Sequence, residues 1–291
     1  MNVLSLFDGI SCGQVAIKRL GLKVNNYYAS EVNMDSIKTT LKNFPDTIQL
    51  GDVRNVRTSV LPKIDLMIGG SPCQDLSFTN PNGEGLKGDR SGLFYEYVKI
   101  LNETNPKWFL FENVPMKQEW KDIISNNLGV ESIEINSSLV SAQNRRRLYW
   151  TNIPNIKQPE DKMIFIKDII YDDNYKVFSD ERIEKTKIVT KNYLKWDLSG
   201  KQYWSQQDRG YYKNGKLPTI PHRNPTNKLN IVLGEGKYRR LHPIEAERAM
   251  TLPDNYTNNL GFTDSKRISL IGDSWVVDVI VHILSHMRVK V

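Results

Sequence analysis

Over the first 150 residues of this chain, short apolar runs alternate with amphipathic stretches, and no other feature narrows its fold as far. Residues 3–7, 27–30, 47–50, 64–68 and 108–111 have strand length and enough apolar character to be buried. Between them, residues 13–20, 35–44, 92–103 and 116–128 repeat apolar side chains at the 3.6-residue period of a helix. Strand alternating with helix predicts an α/β fold, a mostly parallel Rossmann-like sheet covered on both faces. Such sheets bind ligands beyond the carboxyl ends of their strands. The residues that carry chemistry are therefore expected just after each strand.

The pattern breaks after Trp150. Residues 155–240 are rich in Lys, Asn, Asp and Tyr, with scattered Pro and Gly, and no clean helical period survives. A small, irregular unit of strands and loops is expected there. Periodicity returns as a helix over 243–251 and another over 273–287. The run Trp275-Val276-Val277-Asp278-Val279-Ile280-Val281 is too apolar to lie alone on a surface and is expected to pack back on the first domain. The chain is thus read as residues 1–153 (catalytic and cofactor domain), 154–237 (inserted domain) and 238–291 (return segment completing the first).

The formal charge is +7 over 291 residues, unevenly spread. Residues 1–150 hold 17 Lys and Arg against 16 Asp and Glu, whereas 151–291 hold 23 against 17. A basic half points to a polyanion, though a solvated surface would look the same. No run reaches the roughly 20 apolar residues of a membrane span. The N-terminus lacks the basic start of a signal peptide, so a cytoplasmic protein is expected. Two cysteines, Cys12 and Cys73, cannot build a disulfide framework. His282 and His286 have i,i+4 spacing but no acid between them, so they read as a helix face and no metal is expected.

The first strand runs into Phe7-Asp8-Gly9-Ile10-Ser11-Cys12-Gly13. A Gly-containing turn between strand and helix admits a ligand close to the backbone, but the fuller glycine set of a pyrophosphate site is missing. Glu31 follows the second strand, where an acid can accept ribose hydroxyls. Asp52 follows the third, where it can accept from an adenine amino group. Either acid can equally be a helix cap. Together the three strand ends look like a site for a nucleoside without phosphate, which fits S-adenosylmethionine better than NAD.

The fourth strand runs into Gly69-Gly70-Ser71-Pro72-Cys73-Gln74, and a cysteine at such a turn reads as a nucleophile rather than a packing residue. The Gly-rich stretch 75–90 reads as a moving loop. The fifth strand ends in Glu112-Asn113-Val114, with Glu112 expected to be partly desolvated and close enough to the thiol to act with it. In Gln143-Asn144-Arg145-Arg146-Arg147, strand alternation is expected to place Arg145 and Arg147 on one face, able to hold a carbonyl oxygen and orient a carboxylate.

In this order, Phe7-x-Gly9, Pro72-Cys73-Gln74, Glu112-Asn113-Val114, Gln143-x-Arg145-x-Arg147 and Gly272-Asp273-Ser274-Trp275 resemble the motif set of DNA cytosine-C5 methyltransferases. The wording of Leu6–Ile10, Gly51–Arg54 and Gly69–Cys73 is most similar to the catalytic domain of the animal de novo enzymes, and microbial and phage relatives share the set. The resemblance covers roughly residues 1–153 and 238–287. Asp273 departs from the family's usual Asn, and the first motif lacks the second Gly.

The resemblance implies an S-adenosylmethionine-dependent methyltransferase sheet with an inserted target-recognition domain. It implies Cys73 as the nucleophile toward cytosine C6, and Glu112 holding N3 and the exocyclic amine. Arg147 would then bind O2, Arg145 would support the site, and Asn113 would brace the loop. It also implies cofactor contacts at Phe7, Asp8, Gly9, Ile10, Glu31, Val32, Asp52, Val53, Pro72, Ser274 and Trp275. The implied partner is double-stranded DNA, with a restriction endonuclease where the protein belongs to a restriction–modification system. A cytosine deaminase would need a second cysteine after Pro72-Cys73, and none is present. A tRNA cytosine methyltransferase of the same fold and a binding-only regulator are the other readings. The stretch from Lys176 to Arg240 favours DNA, holding 15 Lys and Arg, 6 Asp and Glu, and eight aromatics.

Overall fold

The computed structural model describes residues 1–72, 92–179, 193–195, 209–222, 229–258 and 260–287. Two compact units divide the chain. One takes Met1–Asn136, Arg146–Gln158 and Val279–Val291, the other Ser137–Arg145 and Pro159–Asp278.

In the first unit, β1 (Asn2–Leu6), β2 (Asn26–Ser30), β3 (Ile48–Gln49), β4 (Leu66–Gly69), β5 (Trp108–Asn113), β6 (Ser132–Asn136) and β7 (Arg146–Thr151) form one sheet. Its order is β3-β2-β1-β4-β5-β7-β6. Strands β1 to β5 pair in parallel, and β7 runs antiparallel to both β5 and β6. Helices α1 (Cys12–Arg19), α2 (Met34–Asn43), α3 (Leu93–Thr104) and α4 (Gln118–Leu128) alternate with the strands, as the apolar periodicity predicts. Winding reverses between β1 and β4, which are neighbours in the sheet. In doubly wound sheets this switch point is where ligands bind, beyond the strand ends.

The core of this unit is aromatic. The Phe111 ring lies 4.8 Å from Tyr97, 5.3 Å from Phe94 and 5.8 Å from Trp150, all tilted. Trp150 satisfies its indole N–H on Ser125 Oγ at 2.9 Å. Burying a side chain of this size contributes roughly 1.5–3 kcal/mol. Gly13 is required by close approach: a Cβ there would stand 2.3 Å from Ile68 Cδ1 and 2.9 Å from the Tyr27 hydroxyl. Its absence lets α1 settle onto the sheet directly beneath the first turn.

In the second unit, β8 (Val177–Ser179), β9 (Tyr193–Lys195), β10 (Arg209–Tyr211), β11 (Asn230–Gly234) and β12 (Lys237–Arg240) make a sheet of order β8-β12-β11-β10-β9. These strands answer the expectation of short strands and loops. Two buried ion pairs organise the helical part, α5 (Pro243–Ala249) and α6 (Asp264–Gly272). Arg239 meets Glu245 at 2.8 Å and Arg267 meets Glu247 at 3.0 Å. Glu247 also accepts from the Thr257 amide and hydroxyl, so that its buried charge is well supplied with donors.

The helix expected over 273–287 is shorter, and a separate helix, α6, precedes it. Asp273 caps the end of α6, and Ser274 turns both its amide and its hydroxyl to the Ile271 carbonyl. The last helix, α7 (Val277–Leu284), starts only where Thr251 Oγ1 accepts the Asp278 amide at 2.8 Å. His282 Nε2 lies 2.7 Å from the Lys157 carbonyl, and His286 Nδ1 lies 2.9 Å from the His282 carbonyl. No helix among the described residues is long and apolar enough to cross a membrane.

Candidate active site

The β1 turn is held in a constrained shape. Phe7, Gly9 and Ser11 all have positive φ, at 58°, 57° and 64°. Glycine at position 9 takes this conformation without a Cβ penalty, and a Cβ built there meets nothing within 4 Å, so this side of the turn is open. The turn is tied to the end of β2 by Glu31, whose Oε2 accepts the Gly9 amide at 2.8 Å. Glu31 Oε1 accepts the amides of Val32 and Asn33, each at 2.8 Å. A carboxylate offers about four lone-pair positions. Three are used by backbone, which leaves room for one ligand hydroxyl rather than the two expected from sequence. Val32 is 66% exposed beside it and offers an apolar surface.

Asp8, expected to touch a ligand, is instead turned into the protein. Its Oδ1 accepts the Tyr27 hydroxyl at 2.9 Å and its Oδ2 accepts Ser11 Oγ at 2.6 Å. Burial pushes its carboxyl up to about 6, against hydrogen bonds from Ser11, Ser5 and Tyr27, and the charge of Glu31 adds to the rise. Asp52 turns out to be a cap. Its Oδ1 accepts the Arg54 amide at 2.9 Å at the start of a short 3-10 helix, and its carboxylate pairs with the Arg54 guanidinium. Those Arg54 hydrogen bonds lower its carboxyl to about 2. Ile10 and Val53 are buried, standing behind the surface rather than on it.

The β4 and β5 ends are joined. Asn113 Nδ2 donates to the Ser71 carbonyl at 3.3 Å and to its hydroxyl at 3.4 Å, while Asn113 Oδ1 accepts the Val114 amide at 2.8 Å. Asn113 thereby braces the turn that leads through Pro72 toward the expected nucleophile. Cys73 and the loop 75–90 lie outside the described residues. Cys12, the other cysteine, is buried at the start of α1.

Glu112 and Arg147 meet because of strand register. Glu112 stands opposite Tyr149 in the β5–β7 pair, and Arg147, two residues from Tyr149, shares its face. Arg147 Nε lies 2.9 Å from Glu112 Oε1. The expectation that Arg145 shares a strand face with Arg147 is corrected: β7 begins at Arg146, so alternation does not extend to Arg145. Arg145 is buried in the second unit and donates through Nη2 to the carbonyls of Gly272 and Ser274, both at 3.1 Å. It fastens the Gly272–Trp275 turn. Ser274 is buried in that turn, and Trp275 is half-buried.

Sequence reasoning missed Tyr27 and Lys216, and named Gln143 in its motif without the contacts that explain it. Tyr27 gives no local signal, since its partner Asp8 is 19 positions away. Gln143, fully buried, accepts the Ile220 amide, and Lys216 donates to the carbonyls of Ser138 and Ser141. Both steady the segment before Arg145.

The sequence matches the family described as C-5 cytosine-specific DNA methylase over residues 1–288. It is 29% identical over 297 residues to the type II methyltransferase M.FnuDI of Fusobacterium nucleatum, covering 88% of this chain and 85% of that protein. It is 31% identical over 166 residues to the orphan methyltransferase M.SPRI of Bacillus phage SPR, covering 53% of this chain but only 38% of the phage protein. The fold is similar to that of the Entamoeba histolytica methyltransferase EhMeth, with a TM-score of 0.73 at 17% identity over 98% of this chain and 97% of that one. A seven-stranded mixed sheet, the joined ends of β4 and β5 and a match along nearly its whole length make this chain a member of the C-5 cytosine-specific DNA methylase family.

Proposed function

We propose that the chain methylates carbon 5 of cytosine in double-stranded DNA, with S-adenosylmethionine as donor. The observation that carries the reading is the Glu112–Arg147 pair on the strand whose next residue, Asn113, holds the turn before Cys73. The residues fit the donor: an open glycine turn, one remaining acceptor position on Glu31 and an exposed Val32, with no phosphate-binding glycine set. S-adenosylmethionine supplies an electrophilic methyl group when bound.

Cytosine C5 is a poor nucleophile. The Cys73 thiolate adds to C6, the C5–C6 π electrons move into the ring, and C5 becomes an enamine carbon able to take a methyl group. Glu112 holds N3 and the exocyclic amine and supplies a proton to N3 as charge builds. Arg147 binds O2 and keeps the Glu112 carboxyl in place. After transfer a solvent base takes the C5 proton, the C5–H electrons re-form C5=C6 as the C6–S bond breaks onto sulfur, and N3 gives its proton back to the Glu112 carboxylate. This geometry needs the base out of the duplex. Arg145 acts at a distance, through the Gly272–Trp275 turn.

Residues 154–237 are proposed as the target-recognition segment, with basic side chains on phosphates and a few polar ones on base edges. The reading carries with it a cytoplasmic protein and, in a restriction–modification setting, a restriction endonuclease of matching site. Labelled donor offered with plasmid DNA and with a tRNA pool tests the substrate. Label in DNA, at positions that bisulfite sequencing maps, supports the proposal; label in tRNA alone overturns it.

A further inference from the structure

We infer that Asp8 is a positioning residue for the cofactor, its carboxylate clamping the Phe7–Ser11 turn by bridging the hydroxyls of Tyr27 and Ser11. The inference rests on the cofactor reading above and departs from the expectation that Asp8 touches the ligand itself.

Three left-handed residues within five is costly, since Phe7 and Ser11 are not glycines and each carries a Cβ into that conformation. Such a turn persists only where its surroundings over-determine it. Here the Asp8 carboxylate takes Tyr27 from β2 on one oxygen and Ser11 from the start of α1 on the other. Ser11 Oγ in turn accepts Gln14 Nε2 at 3.0 Å, and Gln14 also donates to Thr47 Oγ1 at 2.7 Å, extending the network to the segment before β3. Gly9 lies between this clamp and the second tie, its amide on Glu31. The clamp therefore fixes the distance between the open glycine turn and the acid proposed to meet a ribose hydroxyl.

The charge of Asp8 is unusual for a merely structural acid. Among the described residues, the main influences on it are Ser5 on β1, Tyr27 on β2, Ser11 at the start of α1 and Glu31 after β2, none of them a cation. Its two partners are both hydroxyl donors to an acceptor-only carboxylate. A neutral acid keeps acceptor positions on both oxygens but accepts more weakly, so the clamp is strongest in the ionised form. A half-buried ionised acid held by hydroxyls costs stability, and such costs are retained where function needs them.

The test uses the full chain and titrates S-adenosylmethionine and S-adenosylhomocysteine into wild type, Asp8→Asn, Tyr27→Phe and Ser11→Ala. Asp8→Asn should weaken both ligands by about tenfold, with each hydroxyl variant weakening them less, in the same direction. The loss should fall on the KM for the cofactor rather than on kcat. Wild-type affinity should decline as pH is lowered through about 6, while that of Asp8→Asn stays flat. The melting temperature of Asp8→Asn at neutral pH should hold or rise, which general disruption of the fold would not produce. Unchanged affinity in Asp8→Asn, or weaker binding accompanied by a lower melting temperature, overturns the inference. Failure of wild type to bind either ligand overturns the cofactor reading and this inference with it.

Discussion

Arg147 Nε stands 2.9 Å from Glu112 Oε1, and both side chains are nearly buried, at 14% and 11% exposed. The pair is a product of antiparallel register between β5 and β7, two strands separated in sequence by α4 and β6. In a charge pair so little exposed, removing one member takes a strong partner from the other.

Single changes at this pair should therefore separate chemistry from folding. Glu112→Gln keeps the shape and should lower kcat by ~10²–10⁴ with cofactor affinity little changed. Arg147→Met removes the guanidinium partner of Glu112 and should destabilise by about 3 kcal/mol. The double variant should recover much of that stability while remaining inactive. Equilibrium denaturation with methyl-transfer assays measures both, and a double variant no more stable than Arg147→Met would show that the pair is not energetically coupled.

Asp8 predicts an inverse dependence of stability on pH. Its carboxyl is raised from the usual 3.8 to about 6. Its contribution is thus fully present below about 3.8 and lost as pH rises through about 6, a loss of about 3 kcal/mol across that window. Asp8→Asn should be more stable than wild type at pH 7 and lose that advantage near pH 4. Urea midpoints at the two pH values check it. An Asn variant less stable than wild type at pH 7 would contradict the assignment.

Much of this was legible in the sequence, for reasons particular residues make plain. Strands β4 and β5 declare themselves because a strand buried on both faces is continuously apolar, as in Leu66–Gly69, whereas β3 is two unburied residues at the sheet edge. The motif residues sit at strand ends because the sheet puts its ligands there. Helix α6 escaped because Ser265, Lys266, Arg267 and Ser269 interrupt its apolar face. The break between α6 and α7 escaped because Trp275–Val281 reads as one apolar run, and only the capping by Ser274 and Thr251 divides it. Asp52 was open between cap and ligand, and the cap is what the backbone shows. The Glu112–Arg147 and Asp8–Tyr27 contacts depend on register and winding, which local pattern does not encode.

Asn113 should matter out of proportion to its size. Asn113→Ala removes its bonds to Ser71 and to the Val114 amide, costing about 1–3 kcal/mol and loosening the turn before Cys73. The expected result is a fall in kcat larger than any change in cofactor KM. Equal losses in both would place Asn113 in cofactor binding instead.

The basic stretch 176–240 should make DNA binding strongly salt-dependent, each Lys or Arg phosphate contact adding roughly 0.9 to the log–log slope. Neutralising single lysines there should lower the slope without changing the methylated sequence, read by bisulfite sequencing. Exchanging residues 154–237 for those of a relative should change the sequence and preserve cofactor binding. An active chimera that methylates the original site would place recognition elsewhere, with the 75–90 loop the next candidate.

Trapping on DNA that contains 5-fluorocytosine, in the presence of S-adenosylmethionine, tests the proposed covalent catalysis at cytosine by Cys73. Fluorine at C5 cannot leave as a proton does, so the thiol stays bonded to C6. Wild type should form a denaturation-resistant protein–DNA adduct that peptide mapping assigns to Cys73, and Cys73→Ala should form none while still binding cofactor. An adduct that survives in Cys73→Ala, or that disappears instead in Cys12→Ala, would contradict the account.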